Sequence, residues 1–223
     1  MDACSRNVES NQTGLHERLD EVVQRHLAHR FRKPYQEHSL AAFKQLEQQV
    51  ERAGKPLIFD SCCGVGASTA RLAELHPEAL VIGMDKSEHR LSRHHAHTPS
   101  EGENYLLLRV NLNDLWRLAE EAGWTLSHHY LLYPNPWPKS VHLQRRWHGS
   151  AVFPSLLALG GQLQMRSNWP LYLQEFARAL ELAGHSSSLQ QINPERPITP
   201  FEEKYQASGQ PLWRLDSDLS SLS

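Results

Sequence analysis

The sequence predicts an α/β fold in which a mostly parallel, twisted sheet carries helices on both faces. Short apolar runs alternate with segments of helical periodicity, which is typical of strands joined by crossover helices. A glycine turn directly follows the first apolar run, and a proline-rich loop follows the fourth. The chain has 223 residues and is 39% hydrophobic, so it can bury one sizeable core.

The first part of the chain differs from the rest in composition. Residues 1–14 are polar, and we expect them to be disordered. Residues 15–54 are predicted to form a basic helical extension, with one amphipathic helix from 15 to about 33 and a second over 39–53 that Gly54 ends. Residues 55–223 would then form the α/β domain.

Five apolar runs are predicted to be strands of the sheet. Because helices separate them, the strands are expected to pair in parallel through right-handed crossovers. We assign no strand to the polar stretch HSSSLQQ or to the last segment with PLWRL. The predicted strands are Leu57–Phe59, Ala79–Met84, Tyr105–Val110, His128–Tyr133 and Gln162–Arg166.

Charge is concentrated locally rather than spread over the chain. The formal net charge is −2, which argues against a wholly basic nucleic-acid-binding protein. Basic residues nevertheless cluster at Arg25–Lys33 and Lys139–His148, as expected for contact with an anionic polymer. The alternative for such a cluster is a solvated helix face.

Other sequence features bear on location and metal content. The 3 cysteines form no paired framework and have no metal-ligand spacing, so reduced thiols and no metal are expected. No apolar run approaches the length of a membrane span, and the N-terminal residues do not resemble a signal peptide. These features predict a cytoplasmic protein that does not bind membranes.

Two carboxylates lie where a nucleoside cofactor would need them. Asp60 ends the first predicted strand just before a turn in which Gly64 and Gly66 allow close approach of the backbone. Asp85 follows the second strand, where an acidic side chain can accept hydrogen bonds from ribose hydroxyls. The dinucleotide fingerprint G-x-G-x-x-G is not satisfied, so a pyrophosphate is not favoured.

The proline loop YPNPWPKSVHLQRR carries the second group of candidate residues. Prolines at 134, 136 and 138 cannot donate backbone hydrogen bonds, so the loop must leave the strand that precedes it. Loops beyond the carboxyl ends of parallel strands line the ligand crevice of open α/β sheets. Asn135 is therefore predicted to face that crevice, with Lys139, Arg145 and Arg146 beside it to hold phosphates.

These motifs together resemble the bacterial tRNA (guanine-N7)-methyltransferase family. The D-x-C-x-G-x-G pattern resembles the first motif of class I S-adenosylmethionine-dependent methyltransferases, which have a Rossmann-like fold. GVGAST, GMD, YPNPWPK, a GG turn, a polar-Trp pair and T-x-F-E follow one another in the family's order between about 57 and 215. The resemblance implies S-adenosylmethionine as cofactor, tRNA as partner and methyl transfer as the reaction; we expect a monomer.

The resemblance also implies roles for individual residues. Positions that contact the cofactor in the family correspond to Asp60, Asp85 and Asn111, together with the turn at Gly64 and Gly66. The catalytic aspartate of the family falls on Asn135. Positions that contact the substrate correspond to Lys139, Asn168, Thr199, Phe201 and Glu202.

Asparagine replaces the family's aspartate at 111, 135 and 168. Attack by guanine N7 needs no proton removed, but the carboxylate's charge is lost. Two alternatives therefore stay open. One is methylation of another acceptor, such as an exocyclic or amide nitrogen in a nucleic acid, small molecule or protein, because N-P-W-P is similar to the N-P-P-Y loop of amino-methyltransferases. The other is an RNA-binding protein without catalytic activity.

Overall fold

A computed structural model describes residue 5, residues 7–94 and residues 104–220. Its centre is one sheet of seven strands in the order β3-β2-β1-β4-β5-β7-β6. The strands are β1 Leu57–Ser61, β2 Leu80–Asp85, β3 Tyr105–Arg109, β4 Leu126–Leu132, β5 Gln162–Ser167, β6 Ser188–Ile192 and β7 Leu212–Asp218.

Eight α-helices connect or flank these strands in the described part of the chain. They are α1 Leu19–Ala28, α2 Glu37–Ala53, α3 Ala67–Leu75, α4 Glu88–Leu91, α5 Leu112–Glu121, α6 Phe153–Ala158, α7 Pro170–Leu182 and α8 Pro200–Ala207. Two short 3₁₀ helices, Ser140–Arg145 and Trp147–Gly149, follow the proline loop.

The first five strands pair in parallel, which confirms the predicted Rossmann-like α/β fold. β7 runs antiparallel to both β5 and β6. Alternation of side chains along the strands divides the core between the two faces. Phe59 packs in the larger cluster, which contains α1, α2 and α5–α7 residues, whereas its neighbour Ile58 packs against Leu72 of α3 in the smaller one.

The sequence analysis missed the two strands at the carboxyl-terminal edge. β6 includes the last four residues of the polar stretch HSSSLQQ, and its side chains are half-buried or exposed. An edge strand buries little apolar surface, so hydrophobic periodicity gives little signal for it. The paired strand β7 contains the unassigned PLWRL segment.

The first helix is shorter than predicted. α1 begins at Leu19 and ends at Ala28, because the backbone at His29 is extended with φ −134° and ψ 124°. The extended segment brings Phe31 and Tyr35 beneath the Arg117 guanidinium, at 5.0 and 4.1 Å from its central carbon to the ring centroids. Extended backbone and cation–π packing therefore stand in place of the last five predicted helical residues, 29–33.

Candidate functional site

The glycine turn joins β1 to α3 and uses backbone that favours glycine. Gly64 and Gly66 have φ of 62° and 78°, and Cys62 between strand and turn has φ 67°. A Cβ at Gly66 would lie 2.7 Å from Leu107 Cδ1, whereas a Cβ at Gly64 would meet nothing within 4 Å. Gly66 is thus needed for packing, and the space over Gly64 is open to a ligand.

Asp60 has one carboxylate oxygen without a partner. The side chain is fully buried, and its Oδ2 accepts hydrogen bonds from Ser68 Oγ and Thr69 Oγ1, both at 2.7 Å. Its Oδ1 has no hydrogen-bond partner among the described residues. Burial raises the pKa of Asp60 to about 6, although the two hydroxyls lower it. The free oxygen can accept from an ammonium group, so Asp60 fits the amino acid part of S-adenosylmethionine.

Asp85 lies beside this turn because β1 and β2 pair in register, with Ser61 opposite Met84. Its buried carboxylate accepts from the backbone N–H groups of Gly64 at 3.1 Å and Ser87 at 2.8 Å. These bonds tie the glycine turn to the end of β2. Nη1 of exposed Arg90 also lies 3.6 Å from Oδ2, and the second lone pair of Oδ1 remains for a ribose hydroxyl.

Asn111 lies after β3, at the same edge of the sheet. β3 pairs with β2 so that Arg109 lies opposite Asp85, and Asn111 follows two positions later. Its side-chain oxygen accepts from Asn113 N at 3.0 Å and caps α5. The fold therefore brings the five predicted cofactor residues to the carboxyl ends of three adjacent strands.

The proline loop leaves β4 next to the glycine turn, since Leu131 pairs with Ser61. Tyr133 and Trp137 both adopt left-handed backbone, with φ of 53° and 45°. Asn135 lies between them and is exposed, and its Oδ1 accepts from Trp137 N at 3.3 Å. Its amide NH₂ group makes no hydrogen bond within the described residues. The loop thus presents Asn135 beside the predicted cofactor site.

Two of the three predicted phosphate contacts are accessible. Lys139 and Arg145 are exposed, and the Arg145 guanidinium lies 4.7 Å from the centroid of the Trp137 ring. Arg146, in contrast, is fully buried and forms an ion pair with the equally buried Glu175 of α7. A phosphate cannot reach its guanidinium, so we remove Arg146 from the predicted substrate contacts.

The T-x-F-E run likewise contains both buried and exposed residues. Thr199 is buried and caps α8 by accepting from Glu202 N at 3.1 Å. Glu202 is fully buried and binds Arg166 Nη1 at 2.6 Å and the Tyr133 hydroxyl at 3.1 Å. Both residues therefore hold α8 in place, and we remove them from the direct substrate contacts. Phe201 is 45% exposed and stays a candidate.

Asn168 and the N-terminal segment meet at the end of β5. Asn168 is half-buried, and its amide nitrogen donates to Gln210 Oε1 at 2.7 Å. Gln210 in turn donates to Ser5 O at 2.7 Å. The amide of Asn168 is thus oriented by its neighbours rather than exposed at the tip of a loop.

The N-terminal segment also contacts the proline loop. The Ser10 hydroxyl donates to Pro138 O at 2.7 Å, and Asn11 Oδ1 accepts from Ser140 N at 2.9 Å. The sequence predicted disorder for residues 1–14, of which residues 1–4 and 6 lie outside the described residues. The division of the chain at residue 54 stays a prediction.

Sequence reasoning missed several residues that support the site. Ser68 and Thr69 were visible in GAST, but their bonds to Asp60 become apparent only once α3 is placed against β1. Glu175 could have been found from the sequence, because a charged residue on the apolar side of α7 indicates a buried partner. Gln12 and Gln210 gave no such signal, since their partners are distant in sequence.

Two further findings concern metals and membranes. Among the described residues, no group of three or more His, Cys, Asp or Glu side chains is arranged to hold a metal ion. Within the same ranges, no helix combines the length and the apolar character that a membrane crossing requires.

The fold is that of a class I S-adenosylmethionine-dependent methyltransferase. A sequence profile described as "Putative methyltransferase" matches residues 54–215, and the chain belongs to that family.

Relatives with known names match most of the chain. A tRNA (guanine-N(7)-)-methyltransferase from Treponema pallidum is 29% identical over 172 residues, covering 73% of this chain and 67% of the relative. A tRNA (guanine-N(7)-)-methyltransferase from Hydrogenovibrio crunogenus is 27% identical over 179 residues, covering 72% and 70% of the two chains.

Solved structures share the fold at low sequence identity. The 16S rRNA methyltransferase KamB superposes with a TM-score of 0.56 at 19% identity, covering 83% of this chain and 95% of its own. A mutant 16S rRNA (adenine(1408)-N(1))-methyltransferase from Catenulisporales acidiphilia with cosubstrate SAM gives 0.54 at 15% identity, covering 77% and 90%. These likenesses support the class I fold.

Proposed function

We propose that the protein transfers a methyl group from S-adenosylmethionine to N7 of a guanosine in tRNA. The observation that carries this proposal is the loop after β4, which leaves the sheet next to the end of β1 and carries exposed Asn135, Lys139 and Arg145. The named relatives, whose similarity extends over about three quarters of the chain, support the choice of tRNA and of guanine N7.

The chemistry makes few demands on side chains. Bound S-adenosylmethionine would supply an electrophilic methyl group on a sulfonium. Guanine N7 has a lone pair that forms the new N–C bond as the C–S bond breaks, so no side chain has to remove a proton. The task of the chain is to hold N7 in line with that bond and to exclude water. Asp60, Gly64 and Asp85 would hold the cofactor, and Asn135 would orient the base.

The orientation of Asn135 suits guanine. Its oxygen accepts from Trp137 N at 3.3 Å, and its NH₂ group makes no hydrogen bond within the described residues and can donate to a base. Guanine presents two acceptors, N7 and O6, on this edge, whereas adenine presents an acceptor and an N6–H₂ donor. Donation from Asn135 to O6 would place N7 for attack.

The distribution of positive charge supports a polyanionic substrate. Beyond Lys139 and Arg145, the C-terminal end of α1 and the segment after it line a surface cleft opposite Ala151. Arg30 in this cleft pairs with exposed Glu121, while Arg25 and Arg32 are exposed and form no ion pair within the described residues. The cleft is lined by Arg25, His26, His29, Arg30, Phe31, Arg32 and Ala151. Arginines and an aromatic ring are suited to RNA phosphates and bases.

A labelled-methyl assay tests this proposal. The protein is incubated with S-adenosylmethionine labelled on the methyl group and with bulk tRNA that lacks modifications, and the tRNA is then digested to nucleosides. Labelled 7-methylguanosine is the expected product. Label in a methylated adenosine would contradict the guanine assignment, and transfer to protein but not to tRNA would contradict the substrate class. A cytoplasmic location and a monomeric state stay predictions.

A further inference from the structure

The buried ion pair between Arg146 and Glu175 is the most heavily bonded group near the proline loop. Arg146 Nε and Nη2 donate to Trp137 O at 3.2 and 3.1 Å, and Nη2 also reaches Lys139 O at 3.4 Å. Nη1 donates to Glu175 Oε2, and the guanidinium lies 5.0 Å from the centroid of the Trp169 ring. All three guanidinium nitrogens are therefore used inside the protein.

The loop needs such an external support. Three prolines at 134, 136 and 138 remove backbone donors, and the left-handed conformations of Tyr133 and Trp137 are costly for residues other than glycine. A strained loop persists only when its surroundings hold it. Arg146 binds the carbonyls on both sides of Pro138, and Trp137 N in turn binds the Asn135 side chain. Arg146 is thus two hydrogen bonds away from Asn135.

Glu175 connects this support to the rest of the site. Besides Arg146, it accepts from Gln12 Nε2 and from His16 N, the latter at 2.9 Å. His148 Nε2 lies 3.2 Å from its other oxygen. Burial alone would raise the pKa of Glu175, but His148 and Arg146 lower it to about 2, so the carboxylate stays charged. Its helix α7 begins directly after Asn168 and Trp169.

We propose that Arg146 and Glu175 are positioning residues for methyl transfer, which fix the proline loop, and with it Asn135 and Lys139, relative to Asn168 and the N-terminal segment. Neither side chain touches the substrate. The inference rests on the proposed function, because it takes the loop as the acceptor site.

The main test compares two arginine-to-lysine variants. Arg146→Lys keeps the charge but cannot bind both loop carbonyls and Glu175 together. Arg178→Lys is the matched control, because Arg178 lies on α7, as Glu175 does, and forms its ion pairs with Asp20 and Glu181, away from the loop. We expect kcat of Arg146→Lys to fall about 100-fold, as misplaced reacting groups do. The Kd for S-adenosylhomocysteine should stay within about twofold, and the control should match the wild type.

A second readout does not depend on activity. Amide hydrogen exchange in residues 137–146 should become faster in Arg146→Lys and stay unchanged in Arg178→Lys. If the wild type fails to methylate tRNA but exchange changes as expected, the proposed function is wrong and the support of the loop stands. Unchanged exchange together with wild-type kcat would overturn the positioning role.

Two further variants keep the test decisive if Arg146→Lys does not fold. Gln12→Ala removes one acceptor of Arg146 and one donor to Glu175 from a half-buried residue, and a roughly fivefold loss of kcat is expected, equivalent to one hydrogen bond. The double variant Arg146→Met with Glu175→Leu replaces the buried pair by apolar side chains, which often preserves stability. It should fold and bind cofactor yet lose methyl transfer. Full kcat in the folded double variant would show that the pair serves stability alone.

Discussion

The proposed cofactor half of the site and the proposed acceptor half are built by different means. In the cofactor half, Asp60 binds Ser68 and Thr69, which lie 8 and 9 positions away, and Asp85 binds the Gly64 amide 21 positions away. In the acceptor half, Arg146 binds Glu175 and Gln12, which are 29 and 134 positions away. The first set of bonds lies within the β1–turn–α3–β2 unit, whereas the second joins the proline-loop region to α7 and to the N-terminal segment through a buried ion pair and a partly buried amide contact.

The buried ion pair beside the proline loop shows that a charged residue near a binding site need not contact the ligand. A basic or acidic residue in the acceptor half can serve the ligand or the loop that carries the ligand-binding residues. Arg145 and Arg146 are neighbours in sequence, yet the first is exposed over the Trp137 ring and the second is fully buried and donates to the Trp137 carbonyl. Burial separates the two roles, and mutations should separate them too.

The largest effect is expected from Glu202→Ala, on the free energy of unfolding. If Glu202 contacted tRNA directly, buried charges would not differ in role from exposed ones. Glu202→Ala leaves Arg166 without its buried partner and removes the acceptor of the Tyr133 hydroxyl. Breaking a buried pair costs about 3–5 kcal/mol, so the free energy of unfolding should fall by that amount. Urea denaturation followed by tryptophan fluorescence measures it.

The neighbouring Glu203→Ala is the control, because Glu203 is exposed on the same helix and should change stability by less than about 0.5 kcal/mol. If Glu202→Ala kept wild-type stability while tRNA affinity fell, Glu202 would be a substrate contact, as first predicted.

In the proposed cofactor half, the role of Asp60 can be tested through the pH dependence of ligand binding. The pKa of Asp60 is raised to about 6 by burial, so the carboxylate that would pair with a cationic cofactor is mostly protonated at pH 5. Binding of S-adenosylhomocysteine should therefore be about tenfold weaker at pH 5 than at pH 7. Calorimetric titration across this range measures the effect, and Asp60→Asn should flatten it.

Stability should change with pH in the opposite direction. Because the folded state holds the Asp60 proton up to about pH 6, whereas the unfolded chain loses it near 3.8, this group's contribution to stability declines as pH rises between those values. A wild-type cofactor affinity that does not vary between pH 5 and pH 7 would argue against Asp60 as the cofactor's partner.

The smallest effects are expected from the exposed cations of the acceptor half. Lys139→Gln and Arg145→Gln should each reduce the slope of log K for tRNA binding against log salt concentration by about 0.7–0.9. Their kcat at saturating tRNA should change little. Lys44→Gln, on the exposed side of α2, is the control and should leave the slope as it is. If neither loop substitution changed the salt dependence of tRNA binding, the RNA would not contact Lys139 or Arg145.

The sequence predicted most of the fold and most of the cofactor half, because apolar periodicity and the glycine turn are local signals. Five strands and the positions of Asp60, Gly64, Gly66, Asp85 and Asn111 at the sheet edge follow from such signals. The buried roles of Arg146 and Glu202 could not be predicted, since they depend on Glu175 and Arg166 from other elements. The cap at Thr199, in contrast, follows from the local T-x-x-E pattern. Strand β6 was missed because an exposed edge strand carries polar residues.

The claim that Asn135 serves the acceptor and not the cofactor is tested most directly by Asn135→Ala. The Kd for S-adenosylhomocysteine and the single-turnover rate of methyl transfer to tRNA are measured in the same preparation. Loss of a preorganised hydrogen-bond donor predicts a rate about 100-fold lower, with a Kd within about twofold of the wild type. A single-turnover rate that matches the wild type would contradict this account of the acceptor site.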